Sequence, residues 1–121
     1  MKKIPLSFLA FFLSICVNAY AQQDVALVPL NFGIKQSITS ITTTATAIPA
    51  TALSGRKSLI IKNLGTATLY IGSSTVTADT AATGGFTLAQ NDFFQADIGA
   101  DTVLYGIVAS GSQNVAIIEA R

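Results

Sequence analysis

Apolar and polar residues alternate along the stretch that follows the N-terminal segment of the chain. Between residues 25 and 35 every even-numbered position is apolar, whereas the odd-numbered positions include Pro29, Asn31, Gly33 and Lys35. A period of two predicts a β-strand with one buried face. Because proline lacks a backbone donor, Pro29 indicates an edge strand or a strand laid against another subunit. Three interpretations stay open: an ordinary first strand, a strand donated to a neighbour, and a disordered leader.

Residues 36–55 form a segment that is rich in Thr, Ser and Ala and contains no charged residue. Threonine favours strands, but repetitive polar stretches specify strand register weakly. We expect a strand over 37–44 and an extended connector over 45–55, turned by Pro49 and Gly55. On this interpretation the segment links an N-terminal arm to the main domain.

Short apolar runs separated by turn residues fill the rest of the chain. Asn63 and Gly65 fit a tight hairpin turn with positive φ, and Asn91-Asp92 fits another turn. The runs predict hairpins and no amphipathic helix, with the last two strands at the centre of the core. This spacing is typical of an all-β fold, a small antiparallel β-sandwich or jelly-roll-like barrel of about seven or eight short strands. The expected strands are 58–63, 68–71, 74–77, 86–88, 93–96, 102–109 and 114–119.

The first 21 residues have the three-part pattern of a secretory signal peptide. Met1-Lys2-Lys3 gives a positive start, residues 6–17 are almost wholly apolar, and Ala19 and Ala21 are small residues before the cleavage point. The apolar run is shorter than the roughly 20 residues that span a bilayer. A retained membrane anchor and lipidation at Cys16 are the alternatives. The expected organisation is a signal peptide over 1–21, an arm and linker over 22–55, and a β-sandwich core over 56–121, with export to the periplasm, the cell surface or the medium.

After Ala21 the chain contains no histidine, cysteine, methionine or tryptophan. This composition removes the common nucleophile–base pairs and the thiolate and imidazole metal ligands. Five basic and six acidic residues remain, a net charge of −1, so no basic surface for nucleic acid is expected. The one basic pair, Arg56-Lys57, is expected to be the solvated start of a strand. The composition predicts a protein that binds or assembles, without a cofactor and without enzymatic activity.

Asp92, Asp97 and Asp101 lie close together in the sequence, and Asp79 lies in a separate loop. Aspartate at such positions commonly accepts a hydrogen bond from nearby backbone in an Asx-turn, which is the interpretation we favour. Asp97 and Asp101 are also weak candidates for a Ca²⁺ site, since calcium prefers oxygen ligands on flexible loops. No catalytic residue is predicted.

Phe93 and Phe94 are adjacent, so in a strand one of them must face away from the core. An exposed aromatic side chain on a small domain usually marks an interface. Tyr70, Phe86 and Tyr105 are expected to pack in the core rather than to form a sugar-stacking platform. Together with the alternating arm, the predicted interface residues are Val28, Leu30, Phe32, Ile34, Phe93 and Phe94.

A longer pattern runs from Arg56 to the C-terminus: RKSLIIKNLGTATLYIG, then VT, GGFTL and LYGIVASGSQNVAIIEA. This order resembles small virion proteins of tailed phages, in which a strand with Arg, Leu, Ile and Asn leads through a glycine turn to Tyr-Ile-Gly. In that family a Gly-x-x-Leu step follows, and a tyrosine-bearing hairpin ends in glutamate. The matching positions are Arg56, Leu59, Ile61, Asn63, Gly65, Tyr70, Ile71, Gly72, Gly85, Leu88, Tyr105 and Glu119.

The resemblance implies a non-enzymatic capsid-decoration or tail-fibre subunit of the virion. It also implies a β-sandwich that assembles as a homo-oligomer, for instance a trimer, and with other virion proteins. The signal peptide departs from this family, because tailed phages assemble in the cytoplasm. The alternative is an exported bacterial surface or pilus-like subunit whose N-terminal arm completes a neighbour's sheet. A carbohydrate-binding module is the third hypothesis.

Overall fold

The computed structural model describes residues 33–121, and these residues form eight β-strands and no helix. The predicted signal peptide and the alternating arm before Gly33 lie outside the described residues, as do the interface candidates Val28, Leu30 and Phe32. The strands are β1 (Ile34–Ile41), β2 (Thr46–Ile48), β3 (Ser58–Asn63), β4 (Leu69–Gly72), β5 (Phe86–Leu88), β6 (Phe93–Ala96), β7 (Leu104–Ile107) and β8 (Gln113–Ala120).

The strands form two four-stranded antiparallel sheets. Sheet A has the order β1-β8-β3-β6, and sheet B has the order β2-β7-β4-β5. The predicted all-β antiparallel fold of seven or eight strands is confirmed. Of the two forms expected, a β-sandwich and a jelly-roll-like barrel, the structure is a two-sheet sandwich whose strand order is that of a jelly roll. β7 pairs with β2 on one side and β4 on the other, and β8 pairs with β1 and β3. The last two strands therefore lie inside their sheets, in agreement with the central position that the sequence predicts for them.

The predicted hairpins are wrong, although most of their strands are present. β3 and β4 belong to different sheets, and so do β7 and β8. The turns between them carry the chain across the sandwich. Of the consecutive strands in the described residues, only β4 and β5 pair with each other. Among the described residues, positive φ occurs at Gly55, Asn91 and Gly111, so the Asn91 turn is confirmed but Asn63 and Gly65 do not turn in this way.

The strand predictions near the start of the domain also differ from the structure. The strand expected at 37–44 runs from Ile34 to Ile41, and the connector expected at 45–55 contains β2. The boundary drawn at Arg56 therefore falls inside the sandwich, because β1 and β2 supply one edge strand to each sheet. The run at 74–77 forms only a single bridge between Thr77 and Gly84.

The core lies between the two sheets and consists of aliphatic side chains. Successive residues of a strand point to opposite faces, so every second residue of β3, β4 and β8 is buried. The expectation that Phe86, Tyr70 and Tyr105 pack in the core is wrong. Phe86 is 61% exposed, and the two tyrosines are half-buried on strands whose alternate residues face inward. The buried cluster is Ile41, Ile48, Leu59, Ile61, Leu69, Ile71, Leu88, Val108, Val115 and Ile117.

Candidate functional site

The outer face of sheet A carries large apolar side chains on all four of its strands. The register places Ile38 beside Ala116, Ala116 beside Lys62, and Lys62 beside Phe93 across the whole sheet. The next row pairs Ile118 with Ile60. Ile34 lies one further row along, at the start of β1. We call this surface the apolar outer face and define it by Ile34, Ile38, Ile60, Phe93, Ala116 and Ile118.

The apolar outer face is open to solvent. Ile34 is 75% exposed, Ile38 is 66% exposed, Phe93 is 65% exposed and Ile118 is 45% exposed. Single exposed hydrophobic residues are ordinary, but several that adjoin across one sheet form a contiguous patch, which marks an interaction site on a small domain. A shallow depression on this face is lined by Ile60, Lys62, Asn91, Phe93, Ala116 and Ile118.

The electrostatics of this face suit contact with another protein. Lys62 is the one charged residue among the outward-facing positions of the four strands. Its ammonium group can stay in water while its methylene stem covers the neighbouring apolar atoms. Asp97 follows β6 at the rim, and its side chain is exposed. Depletion of charge around an apolar centre is the composition that distinguishes interface cores from the rest of a protein surface.

The structure separates the predicted interface residues. Ile34 and Phe93 lie on the same apolar outer face, at opposite edges of sheet A. Phe94 points the other way, packs on the core and lies 5.8 Å from Phe86 between ring centroids. The prediction that one member of the Phe93–Phe94 pair faces outward is confirmed, and Phe94 is not part of the exposed surface.

Sequence reasoning missed Ile38, Ile60 and Ile118. Each of Ile60 and Ile118 stands next to a buried isoleucine, so the two-residue run alone does not reveal which side chain faces outward. The sequence did contain a signal for Ile38. Ile34 and Ile38 occupy even-numbered positions, as do the apolar residues of the alternating arm that precedes them.

The carboxylates are not gathered into a cluster in the part of the chain that the structure describes. Residues 33–121 contain no group of three or more His, Cys, Asp or Glu side chains that could hold a metal ion. Asp97 and Asp101 are exposed. Asp79 accepts a hydrogen bond from the Ala81 N–H at 2.9 Å, which confirms the Asx-turn expected there. Asp92 accepts one from the Ala89 N–H at 3.0 Å.

A buried ion pair closes one end of the sandwich, and the sequence did not predict it. Arg56 is 3% exposed, so the expectation that it starts a strand in solvent is wrong. Its Nη1 donates to Oε1 of the fully buried Glu119 at 3.1 Å, and the Leu53 N–H donates to the same oxygen. The Lys35 Nζ lies 3.9 Å from the other carboxylate oxygen.

The remaining donors of Arg56 bind the loop between β6 and β7. Its Nε donates to the Ile98 carbonyl at 3.2 Å, and its Nη2 donates to the carbonyls of Gly99 at 2.7 Å and Thr102 at 2.6 Å. Four of the five N–H donors of the guanidinium are bonded within the fold, and the buried side chain offers no open surface to a substrate or an anion. The pair therefore fixes two loops to sheet A and has a structural role.

Asn63 organises the turn that follows β3 through its side chain. Its Nδ2 donates to the carbonyls of Ala67 at 2.9 Å and Leu88 at 3.0 Å, and its Oδ1 accepts from the Gly65 N–H at 3.0 Å. The residue is fully buried; two of these bonds hold the turn itself, and the bond to Leu88 joins sheet A to β5 of sheet B. Arg56, Asn63 and Glu119, three of the positions in the phage-like pattern, thus serve the fold.

Comparison of the chain with protein-family models, curated proteins and solved structures finds no match in any of the three. None of the described residues belongs to a helix long and apolar enough to cross a membrane. The fold and the site together define a class, a jelly-roll domain with an apolar outer face on one sheet. Because one fold can carry many functions, the function has to be argued from that face.

Proposed function

We propose that this protein is a non-enzymatic structural subunit that acts by protein–protein assembly, and that the apolar outer face is its assembly surface. The observation that carries the proposal is the exposure of Ile34, Ile38, Phe93 and Ile118 on one sheet. Leaving such a patch in water is unfavourable by roughly 25 cal/mol for each Å² of apolar surface. Contact with a second protein removes that surface from water, and the scarcity of charge on the face limits the desolvation penalty of contact.

The setting that we propose first is a virion, in which the subunit decorates a capsid or forms part of a tail. The residue pattern from Arg56 to Glu119 supports this setting. Viral capsid domains are among the proteins that use the jelly roll, although lectins and cupins use it too, so the fold supports the setting only by analogy.

The alternative setting is the surface of a bacterial cell. It is supported by the signal-peptide pattern of residues 1–21 and by the alternating arm, which has the composition of a strand that adds to a neighbour's sheet. In this setting the subunit polymerises after export, and the apolar outer face packs against adjacent subunits.

The assembly surface is tested by matched substitutions in the full chain. Ile118→Ser and Phe93→Ser alter the apolar outer face, whereas Leu64→Ser and Phe86→Ser remove side chains of similar exposure elsewhere. Sedimentation velocity is run on each protein alone and after mixing with undecorated phage heads. We expect the two face variants to lose self-assembly or binding to the heads, and the two controls to keep it. Identical behaviour of all four variants would contradict the proposal.

The two settings make different predictions about the product in the cell. A virion subunit co-purifies with particles, whereas an exported subunit is recovered at the surface or in the medium with an intact mass that begins at Gln22. Deletion of residues 22–32 leaves all eight strands in place and should abolish polymers only if the arm is donated. Intact polymers from that deletion would count against the exported-subunit alternative.

A further inference from the structure

β1 is an eight-residue strand at the edge of sheet A, where one side of its backbone faces away from the sheet. It pairs with β8 along its whole length, and no other strand of the described residues pairs with it. Its even-numbered residues, Ile34, Gln36, Ile38 and Ser40, are all exposed. A long, regular edge strand of this kind is a template for pairing with another chain.

The direction of the backbone groups follows from one hydrogen bond. The Arg121 N–H donates to the Gly33 carbonyl at 3.0 Å, so Gly33 points its backbone toward β8. In an antiparallel ladder this direction alternates from residue to residue. The odd-numbered residues of β1 therefore bond to β8, and the even-numbered residues direct their N–H and C=O groups outward. The carbonyl of Thr42, just after β1, accepts a bond from the Val108 N–H at 3.1 Å, so it is not free to extend this edge.

We propose that two copies of this chain pair antiparallel through their β1 edges, with the two-fold axis at Gln36. In this register Ile34 of each copy lies opposite Ile38 of the other copy. The outward N–H and C=O groups of the two β1 strands then meet as hydrogen-bonded pairs. β-branched pairs directly across a ladder stabilise it. The inference deepens the proposed assembly role, because it names a second copy as the first partner of the subunit.

The neighbouring registers fit less well. An axis at Lys35 places two ammonium groups opposite each other, which is destabilising. An axis at Ser37 sets Ile38 against Gln36 and Ile34 against Ser40, and one at Ile38 sets Ile34 against Thr42, whose carbonyl is already bonded. In the Gln36 register Lys35 lies opposite Ser37. This register keeps the two lysines apart, and each ammonium group can keep its bond to the Thr51 carbonyl of its own subunit, at 2.6 Å.

The paired edges join two apolar outer faces into one. The β1 strands become the centre of an eight-stranded sheet, and Ile118 and Ile38 of each copy lie on the same side of it. The joined face has twice the apolar width of a single subunit. A capsid shell or further subunits would then cover a larger apolar surface than one copy offers.

The first test is disulfide trapping in the full chain with Cys16→Ser. In the proposed register two Gln36→Cys residues form a hydrogen-bonded pair, about 5.5 Å between Cα atoms, which is within the range of a disulfide. Ser40→Cys is the control, since it lies on the same strand and face but about 27 Å from its counterpart. We expect mild oxidation to give a covalent dimer with Gln36→Cys and none with Ser40→Cys. Equal trapping of both variants overturns the proposal.

The second test removes the outward donor. Gln36→Pro deletes an N–H that does not bond to β8, and proline is tolerated on the solvent side of an edge strand. We expect this variant to keep the wild-type circular dichroism spectrum and to sediment as a monomer at concentrations where the wild type dimerises. A wild type that is monomeric throughout, or a Gln36→Pro variant that still dimerises, overturns the inference. Loss of assembly in Ile118→Ser but not in Gln36→Pro would retain the proposed function and reject the edge pairing.

Discussion

Replacing Arg56 by methionine is expected to destabilise the fold strongly. The side chain forms four hydrogen bonds, one to Glu119 and three to backbone carbonyls of the β6–β7 loop. Without it, the fully buried Glu119 carboxylate keeps the Leu53 N–H, and the nearest remaining cation is Lys35 at 3.9 Å. Breaking a buried pair in this way lowers the free energy of unfolding by about 3–5 kcal/mol.

Glu119→Gln should have a smaller effect. The amide oxygen can still accept from Arg56 and Leu53, and Arg56 keeps its three backbone carbonyls. The change converts charge-assisted hydrogen bonds to neutral ones, a loss of about 1–2 kcal/mol. Because both substitutions act on the same contact, the double variant should be destabilised by less than the sum of the two single variants.

Urea unfolding of the full chain at one fixed protein concentration, followed by far-ultraviolet circular dichroism, measures these differences. Lys57→Met is the control, because Lys57 is the exposed neighbour of Arg56 and should change stability by less than about 0.5 kcal/mol. The reasoning is refuted if Arg56→Met is no less stable than Lys57→Met, or if Glu119→Gln is more destabilising than Arg56→Met.

Three further sites test the packing, two of them with a matched control substitution, and each variant is measured by thermal and urea unfolding. Asn63→Ala leaves buried backbone partners without their bonds and should lower the free energy of unfolding by about 2–4 kcal/mol; a change below 1 kcal/mol would show that water replaces the amide. Gly106→Ala should destabilise by about 1–3 kcal/mol, because a Cβ there collides with core side chains. Gly99→Ala should be neutral, because its Cβ would lie 3.9 Å from the nearest atom, the Arg56 carbonyl oxygen. Ile61→Ala should be destabilising by about 2–5 kcal/mol and Ile60→Ala by less than 1 kcal/mol; similar values for the two would mean that the face assignment of β3 is wrong.

The sequence predicted the strands better than it predicted their partners. The runs at 58–63, 86–88 and 93–96 have the same bounds as β3, β5 and β6, because short apolar runs between turn residues have few alternatives to a strand. The hairpins were wrong because a turn that reverses the chain within a sheet and one that carries it across the sandwich use similar residues. Only the pairing of strands far apart in sequence distinguishes the two.

The residues of the candidate site were likewise predicted only in part from the sequence. Adjacency alone determined that one of Phe93 and Phe94 faces outward, since alternate residues of a strand point to opposite faces. The register of β6 against β3, in which Phe94 lies beside the buried Ile61, decided which one it is. Likewise, nothing local distinguishes Ile60 from Ile61, or Ile117 from Ile118, until both strands are placed in sheet A.

The sequence by itself determined the all-β class, the positions of most strands in the described domain, and the lack of histidine and cysteine after Ala21. Tertiary structure decided the jelly-roll order, the burial of Arg56 against a carboxylate 63 positions away, and the union of residues from four strands into one apolar face. The physical reason is that side-chain periodicity is a local property, whereas burial of charge and continuity of a surface depend on contacts between distant segments.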